Sequence, residues 1–475
     1  MIRILGRNRI MIRPTHFFLL LTFLFSFELR AQEFTRIFLD SAIQQTANNL
    51  IVSPDQSIWL GGTKVPVGES SPVAWFYRLK KDGSLHRRIP IPAPGAQTWS
   101  GMAQLSNGQI AIVIGQKNQT DTTENWLAIA DTQSIIRFEH IPELDEAILE
   151  DVLKTRSGKL IVSGFRAGPG PQGNNFFVAK VNPANAGTEW IFEESYAFTE
   201  RVANVMEARD GSFIFCGDIY TTGYNPMVVK LDSNGAVIWD KIIDTQWNDG
   251  PQTLVEDSSG RIWVVGESST SAGSLFDNEL TVLSSDGQIL WQQWIGSPGQ
   301  DAAFLIRKAT GPGFWVGGYS NAGNGGAGPI GPFLMRLGTE GNSLGEKFWS
   351  LDGPSPMYDL SISGDSVFHF CGVSNSQAYL MRRENPDLQP VFTVSVGSKM
   401  VPTEKFEWKY DKGSESFLRS EQADSRMELA DLQGRILKQS ARGESRLSVA
   451  SLPEGVYVGI EKREDGKINA RIFRK

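Results

Sequence analysis

The chain has 475 residues, which is enough for two or three domains with a sizeable buried core. Its 48 glycines, 27 phenylalanines and 13 tryptophans suit short strands joined by many turns rather than long helices. The formal net charge of −7 argues against nucleic acid as a partner, because phosphate contacts need clustered Lys and Arg side chains.

The N-terminus has the pattern of a secretory signal peptide. Basic residues within 3–13 precede an apolar run of 11 residues, Phe17–Phe27, and a cleavage site follows. A membrane anchor is the alternative, but this run is well short of the roughly 20 apolar residues that span a bilayer. We therefore predict that residues 1–31 are a signal peptide cut between Ala31 and Gln32. The mature chain has no second long apolar run, so we expect no transmembrane span in it.

A repeat dominates the chain from there to about residue 386. Short apolar runs ending in glycine recur at spacings of 49 to 55 residues, each with a strand and turn before it and two further strands after it. Four short strands per unit fit an antiparallel blade, and seven blades would close into a ring. A β-sandwich would not explain the fixed period, and open solenoids usually have shorter repeats. We predict an all-β fold, with a seven-bladed β-propeller over residues 32–386. The runs end at Gly61, Gly115, Gly164, Gly217, Gly266, Gly317 and Gly372.

The segment 34–40 has no strand before it with which to form a unit. Phe34 precedes the first repeat glycine by 27 residues, which is also the interval from Trp239 to Gly266. The segment thus has the register of a fourth strand, and we expect it to complete blade seven and close the ring. Residues 390–396 offer a rival closing strand.

The two cysteines, Cys216 and Cys371, occupy the same position of copies four and seven. Equivalent positions three blades apart should exceed the roughly 7 Å between Cα atoms that a disulfide allows. We expect free, buried thiols.

The units resemble a family of bacterial exported propeller repeats with the pattern D-x-A, strand, turn, apolar-Gly, loop, K-L-D-x-x-G, then W. Residues 296–320 and 228–243 carry the resemblance best, and it covers about 350 residues. The resemblance implies a fold more than an activity, because propellers host unrelated functions.

The period stops after about residue 385, and Pro386 and Pro390 mark a linker at 387–400. Residues 401–475 contain strand-sized runs and are predicted to form a small Ig-like β-sandwich. They resemble the type A C-terminal sorting domain of the type IX secretion system. The resemblance implies partnership with that secretion machinery and delivery to the outer cell surface or the medium; an ordinary Ig-like sandwich is the alternative. The matching residues are Asp431, Gly434, Leu452, Gly455, Tyr457 and Lys475.

Motifs for catalysis are missing from the sequence. Its four histidines include no pair at zinc-ligand spacing, and it has neither a Gly-x-Ser-x-Gly elbow nor a phosphate-binding loop. His369 is expected to be a strand residue, and residues 232–235 a tight turn rather than a calcium loop. Residues 285–287 do not match the Asp-box of sialidases, because Asp286 and Gly287 are adjacent where that motif spaces them by one residue. The metal ligands of quinone-dependent dehydrogenases, which usually have eight blades, are not found either. We predict no catalytic, cofactor-binding or metal-binding residues.

The connections between second and third strands are predicted to be long loops on one face of the ring. A rigid scaffold that presents variable loops favours binding there. Aromatic rings on this face would stack on a glycan or anchor a protein ligand; the alternative is that they pack beneath the loops. The candidate binding residues are Tyr220, Tyr224, Trp247 and Tyr319, with Arg166, Asp218, Asp249 and Asp301 beside them. The predicted loops are 62–74, 116–124, 165–175, 218–226, 267–279 and 318–332.

The expected function is that of an exported, non-enzymatic binding or adhesion module. Two alternatives stay open: a secreted hydrolase of polysaccharide or peptide with paired carboxylates on the loop face, and a structural envelope component.

Overall fold

The described residues of the computed structural model form 35 β-strands and one short 3-10 helix, Pro142–Leu144. Among them there is no helix long and apolar enough to cross a membrane. The structure describes residues 33–38, 42–93, 95–118, 120–168, 173–196, 199–220, 223–243, 249–269, 276–295, 300–321, 329–351, 353–386, 388, 408–411, 416–419, 425–430, 436–440, 446–449, 451–452, 456–463 and 468–474.

Twenty-eight strands form seven four-stranded antiparallel sheets, numbered here as blades 1 to 7 in chain order. Blades 1 to 4 comprise β2 Ala42–Val52, β3 Ile58–Pro66, β4 Val73–Leu79, β5 Leu85–Ile89; β6 Gln97–Gln104, β7 Ile110–Lys117, β8 Thr123–Ala130, β9 Ile135–His140; β10 Ala147–Lys154, β11 Leu160–Ala167, β12 Asn174–Asn182, β13 Gly187–Glu194; and β14 Glu200–Glu207, β15 Phe213–Tyr220, β16 Tyr224–Leu231, β17 Val237–Ile242. Blades 5 to 7 comprise β18 Asp249–Glu256, β19 Ile262–Ser269, β20 Phe276–Leu283, β21 Ile289–Ile295; β22 Asp301–Lys308, β23 Phe314–Ser320, β24 Gly331–Leu337, β25 Ser343–Phe348; and β26 Met357–Ser363, β27 Val367–Ser374, β28 Gln377–Glu384 with β1 Phe34–Ile37.

The ring is closed by the N-terminal strand, as predicted. β1 pairs antiparallel with β28 as the fourth strand of blade 7, with Phe34 opposite Arg382. The Arg383 guanidinium donates to the Phe34 carbonyl and to the Thr35 hydroxyl, both at 2.9 Å. The rival segment, 390–396, lies outside the described residues. The first strand of each blade contacts the first strand of the next, from blade 1 round to blade 7 and back, so the first strands form the inner wall.

The hydrophobic core lies between neighbouring blades. Ile161 and Phe176 of blade 3, for example, pack with Val202, Phe213 and Phe215 of blade 4, all of them buried. A single blade has two apolar faces and buries each against a neighbour, which is why the repeats stabilise one another.

The outer strands are fastened by a second contact between blades. Trp190 on β13 packs against Gly235 in the last turn of blade 4, and its indole N–H donates to the Ser233 carbonyl at 3.1 Å. A Cβ added to Gly235 would lie 2.8 Å from the Trp190 ring. Phe34 makes the equivalent contact with Gly83 of blade 1, which confirms the register predicted for it.

Each of the seven inner strands contains a β-bulge near the end where the strand begins, which we call its loop end. In blades 2 to 6 the bulge lies three residues after the first residue of the strand. The bulge inserts one residue that has no partner on the second strand. The inserted residues are Asn48, Ser100, Glu150, Ala203, Gln252, Phe304 and Tyr358.

In three blades the side chain of the residue after the inserted one accepts a hydrogen bond from a backbone N–H of the next blade. Asp151 accepts from the Val205 backbone N–H of the next blade at 3.1 Å, and Asn204 from Leu254 N–H at 3.4 Å. Asp359 of blade 7 accepts from Leu50 N–H of blade 1 at 2.9 Å, so this hydrogen bond spans the closure of the ring.

The C-terminal residues form two small antiparallel sheets. β29 Trp408–Asp411, β30 Ser416–Arg419 and β33 Arg446–Ser448 make one, and β31 Ser425–Ala430, β32 Ile436–Gln439, β34 Val456–Arg463 and β35 Ile468–Arg474 make the other. The predicted packing of these strands as an Ig-like sandwich stays a prediction.

Candidate functional site

The recurrent glycine of the sequence faces the inner-strand bulge. In six blades a Cβ at this position would lie 1.9 to 2.3 Å from a carbonyl oxygen of the inner strand, as Gly217 shows against Arg201 O. The glycine is therefore required by close backbone approach. In blades 1, 2 and 6 the residue that faces the bulge is Gly62, Ile114 or Gly318, one residue away from the glycine at which the apolar run ends in the sequence.

The position directly after this glycine lies near the loop end of the second strand. In blades 4, 5 and 6 it is occupied by Asp218, Glu267 and Tyr319, which pair across the sheet with Arg201, Gly250 and Ala302. We call the following set the inner-rim cluster, because it combines these side chains with inserted residues of the inner strands. Its members are Glu150, Arg201, Asp218, Glu267, Phe304, Tyr319 and Tyr358.

Arg201 is the centre of the charged half of the inner-rim cluster. Its Nη2 and Nε lie 3.0 and 3.2 Å from Asp218 Oδ1, within the same blade. Its Nη1 reaches back to blade 3, 3.5 Å from Glu150 Oε2. The Asp218 side chain is 10% exposed, whereas those of Glu150 and Arg201 are 30% and 36% exposed. The guanidinium group therefore joins a buried carboxylate, Asp218, and a partly exposed one, Glu150.

Burial dominates the acid–base properties of the other two carboxylates. Desolvation raises the pKa of Glu150, opposed by the attraction of Arg201 and reinforced by Asp218. Desolvation likewise raises the pKa of Glu267, and Arg201 and Asp218 again act in opposite directions. Both groups are thus less favourable as anions than exposed carboxylates.

Three aromatic rings form the other half of the inner-rim cluster. The Phe304 ring centroid lies 5.3 Å from that of Tyr319, edge to face, and 6.4 Å from that of Tyr358. All three residues are half-buried. Gln300 Nε2 lies 3.4 Å from the Tyr319 hydroxyl. Burial and then the charge of Glu267 raise the pKa of Tyr319, which connects the rings electrostatically to the carboxylates.

The predicted binding residues are only partly brought together. Tyr220 and Tyr224 pair across the tip of one hairpin, 40% and 45% exposed, with ring centroids 5.1 Å apart. Tyr319 belongs to the inner-rim cluster instead. Trp247 lies outside the described residues.

For Tyr220, Tyr224 and Tyr319, the expectation of a place on long loops is wrong. Second and third strands run on toward the tips, so the connections are shorter than predicted, and Tyr220, Tyr224 and Tyr319 all lie on strands. Arg166, also on a strand, is bound to Glu193 at 2.9 Å and lies over the Phe177 ring, which gives it a structural role.

Other sequence predictions concern possible chemistry. Residues 232–235 form the predicted turn: Asp232 Oδ1 accepts from the backbone N–H of Asn234 at 2.8 Å and of Ala236 at 2.9 Å. His369 is buried in β27, and desolvation lowers its pKa to about 4. Cys216 and Cys371 are free and buried, as expected. No group of three or more metal-ligating side chains occurs among the described residues.

Most predicted targeting residues lie outside the described part of the chain. This applies to Ala31, Gln32, Asp431, Gly434, Gly455 and Lys475. Tyr457 lies on β34, and the Leu452 backbone N–H donates to the Val449 carbonyl at 2.9 Å.

Sequence reasoning missed five members of the inner-rim cluster: Glu150, Arg201, Glu267, Phe304 and Tyr358. A usable signal was present for Glu267, which directly follows a repeat glycine, as Asp218 does. The bulges that insert Glu150, Phe304 and Tyr358 leave no such mark in the sequence.

No family model and no curated protein matches the chain. Among solved structures, it is similar to PorZ of Porphyromonas gingivalis, described as an essential bacterial surface component of the type IX secretion system (11% identity, TM-score 0.33, 88% of this chain and 69% of that one). It is also similar to an α-L-arabinanase of Penicillium chrysogenum (11%, 0.43, 75% and 100%) and to the propeller domain of the Trilobed protease of Pyrococcus furiosus (11%, 0.43, 73% and 99%). At these scores the likenesses carry no argument about activity or secretion, and the fold rests on the strand pairing.

Proposed function

We propose that the chain is an exported cell-surface or secreted protein whose propeller binds a ligand at the inner-rim cluster without transforming it. One observation carries the proposal: five consecutive blades bring three carboxylates, an arginine and three aromatic rings to the loop end of the inner wall. Half-buried aromatic rings beside fixed charges supply both stacking area and directional hydrogen bonds.

Binding is tested with the purified mature chain on glycan and peptide arrays, followed by titration of each ligand found. The variant Glu267→Gln keeps the shape of the side chain and should weaken binding at least tenfold. Tyr220→Ala, at the hairpin tip, is the matched comparison and should leave the affinity unchanged. A loss confined to Tyr220→Ala would move the site to the hairpin tip and overturn the inner-rim assignment. Absence of any ligand would favour a structural envelope component.

The proposed export rests on the signal-peptide pattern of residues 1–31 and on the sorting-domain pattern of residues 401–475. In a host with type IX secretion, the full chain should reach the cell surface or the medium. A chain truncated after residue 400 should be retained inside the outer membrane, which immunodetection on intact cells measures. Surface delivery of the truncated chain would contradict the sorting proposal and leave the binding proposal intact.

A hydrolase is the second candidate, and one observation favours it. Glu150 and Asp218 lie at two nitrogens of the same guanidinium group, 3.5 and 3.0 Å away, so two carboxylates of different exposure are close together. Paired carboxylates in unlike environments are what glycoside hydrolysis uses. Products released from polysaccharide by the mature chain, and abolished by Glu150→Gln, would replace the binding proposal with this one.

A further inference from the structure

The inner-rim cluster has more negative than positive groups. Arg201 is its one guanidinium group and already contacts two carboxylates, Asp218 at 3.0 Å and Glu150 at 3.5 Å. Glu267 is attracted by Arg201, but no ion pair of 4 Å or less joins these two described side chains. An anionic ligand would therefore meet three carboxylates and an arginine that is already engaged.

The aromatic half offers a second and independent indication. Elsewhere in the propeller several rings have an arginine of their own: Arg78 lies over Trp59, Arg261 over Trp263 and Arg336 over Trp315, with guanidinium carbons 5.2 to 5.4 Å from the ring centroids. Within the described residues, no Lys or Arg is placed in this way over the rings of Phe304, Tyr319 or Tyr358. Aromatic rings near carboxylates, without a cation from the protein, suit a cation supplied by a ligand.

Burial makes these carboxylates responsive to such a cation. Glu150 and Glu267 have raised pKa values because desolvation disfavours their anions, and the neighbouring Asp218 adds repulsion to both. A cationic group close to them would favour ionisation and release protons. Binding and proton release are thus expected to be linked.

We propose that the inner-rim cluster recognises an ammonium group carried on an aliphatic or sugar scaffold, with Glu267 as its counter-ion and the aromatic rings of blades 6 and 7 against the scaffold. A lysine side chain and an amino sugar share this chemistry. The inference rests on the proposed binding function and specifies its ligand class.

The test compares two ammonium probes with their uncharged counterparts by calorimetric titration of the full mature chain at pH 7. The probes are trilysine acetylated at its N-terminus and amidated at its C-terminus, and the glucosamine trimer. The counterparts are the same capped peptide with its Nε groups acetylated, and the N-acetylglucosamine trimer. At least one ammonium probe should bind tenfold or more tightly than its acetylated counterpart. Which arm responds distinguishes a peptide source from a glycan source.

Two variants separate a specific site from general attraction to an acidic protein. Glu267→Gln should remove at least tenfold of the affinity for the responding probe. Asp240→Asn removes the same charge from an exposed position on the outer strand β17 and should leave the affinity within a factor of two. Titrations at pH 5 in two buffers of different ionisation enthalpy should also show proton release on binding.

Equal binding of charged and acetylated probes would overturn the inference, and so would equal effects of Glu267→Gln and Asp240→Asn. A neutral array ligand whose binding depends on Glu267 would also refute the ammonium assignment, but it would support the proposed function. Failure of every probe together with an empty array would refute both.

Discussion

In six of the seven blades a glycine faces the inner-strand bulge, and the backbone of the neighbouring strand leaves no room for a side chain there. A Cβ at Gly217 would lie 2.3 Å from the Arg201 carbonyl oxygen and 2.7 Å from the Phe176 ring. The φ angle of Gly217 is not positive, so a glycine is required here because it has no side chain and not because of its conformational freedom. Any larger residue has to push two strands or two blades apart.

We predict that Gly217→Ala destabilises the propeller by about 1–3 kcal/mol, the usual cost of overpacking. Gly250→Ala is the control, since its Cβ would meet nothing closer than 3.8 Å. Denaturant unfolding of the two variants and the parent chain measures the difference. Equal midpoints for Gly217→Ala and the parent would mean that the bulge relaxes easily and that the recurrent glycine has another cause.

The two thiols are inert for a reason that is also local. Cys216 and Cys371 are both fully buried, and desolvation raises the pKa of each thiol far above its usual range. The thiolate is the reactive form. Neither cysteine should react with a thiol reagent in the folded protein at pH 8, and both should react once denaturant unfolds it. Rapid labelling of either in the native state would contradict the buried placement.

At the scale of the strand, the outer edge of four blades (3, 4, 5 and 7) is fastened to the next blade by an aromatic ring that packs on a turn glycine. Trp190, Trp239 and Trp291 make this contact with Gly235, Gly287 and Gly341. Phe34 makes it with Gly83, although β1 is only four residues long and belongs to the other end of the chain. The aromatic contact thus adds to the short β-ladder that closes the ring.

Substitutions at Phe34 should therefore act on closure. Phe34→Ala should destabilise the propeller by about 1–2 kcal/mol, since the ring is only half-buried, and Phe34→Trp should retain parental stability. Ile37→Ala, on the same strand but 42% exposed, is the matched control and should change little. Equilibrium unfolding measures all three. An effect of Ile37→Ala as large as that of Phe34→Ala would assign closure to the backbone ladder alone.

How far the sequence predicts these elements depends on what repeats. The spacing of apolar-Gly runs and of outer-strand aromatics recurs because the packing behind it recurs, so the blade count and the closing strand were predictable. The hairpin lengths were not, because strand pairing continues through polar residues such as Arg166 and Asp218 that a sequence pattern assigns to loops. The inner-rim cluster was not predictable either. Its members occupy equivalent positions with different side chains, and the bulges that insert three of them are visible only in the register.

At the scale of the whole ring, blade-to-blade contacts place carboxylates where water is scarce. Asp151 of blade 3 and Asp359 of blade 7 each accept a backbone N–H from the following blade, at 3.1 and 2.9 Å. Arg307 Nη2 lies 3.5 Å from Asp359 Oδ1 and attracts both carboxylates. Desolvation nevertheless raises the pKa of Asp359, and it raises the pKa of Asp151 to about 6. The charge of Asp359 also raises the pKa of Asp151. Ring assembly therefore favours the protonated form of these groups.

A dependence of stability on pH follows for Asp151. Its pKa is about 6 in the folded chain and 3.8 as a reference value, so between these values the folded state binds more protons than the unfolded state. The stabilisation is complete below about pH 4 and is lost as the pH rises toward 6, because unfolding then releases the unfavourable buried charge. Asp151→Asn removes this titration while keeping an acceptor oxygen. The free energy of unfolding of the parent minus that of Asp151→Asn should fall from pH 4 to pH 6.5, whereas the same difference for the exposed control Asp240→Asn should stay flat. Parallel profiles for the parent and Asp151→Asn would mean that the carboxylate at this blade contact stays ionised throughout, and that the hydrogen bond from Val205 outweighs its burial.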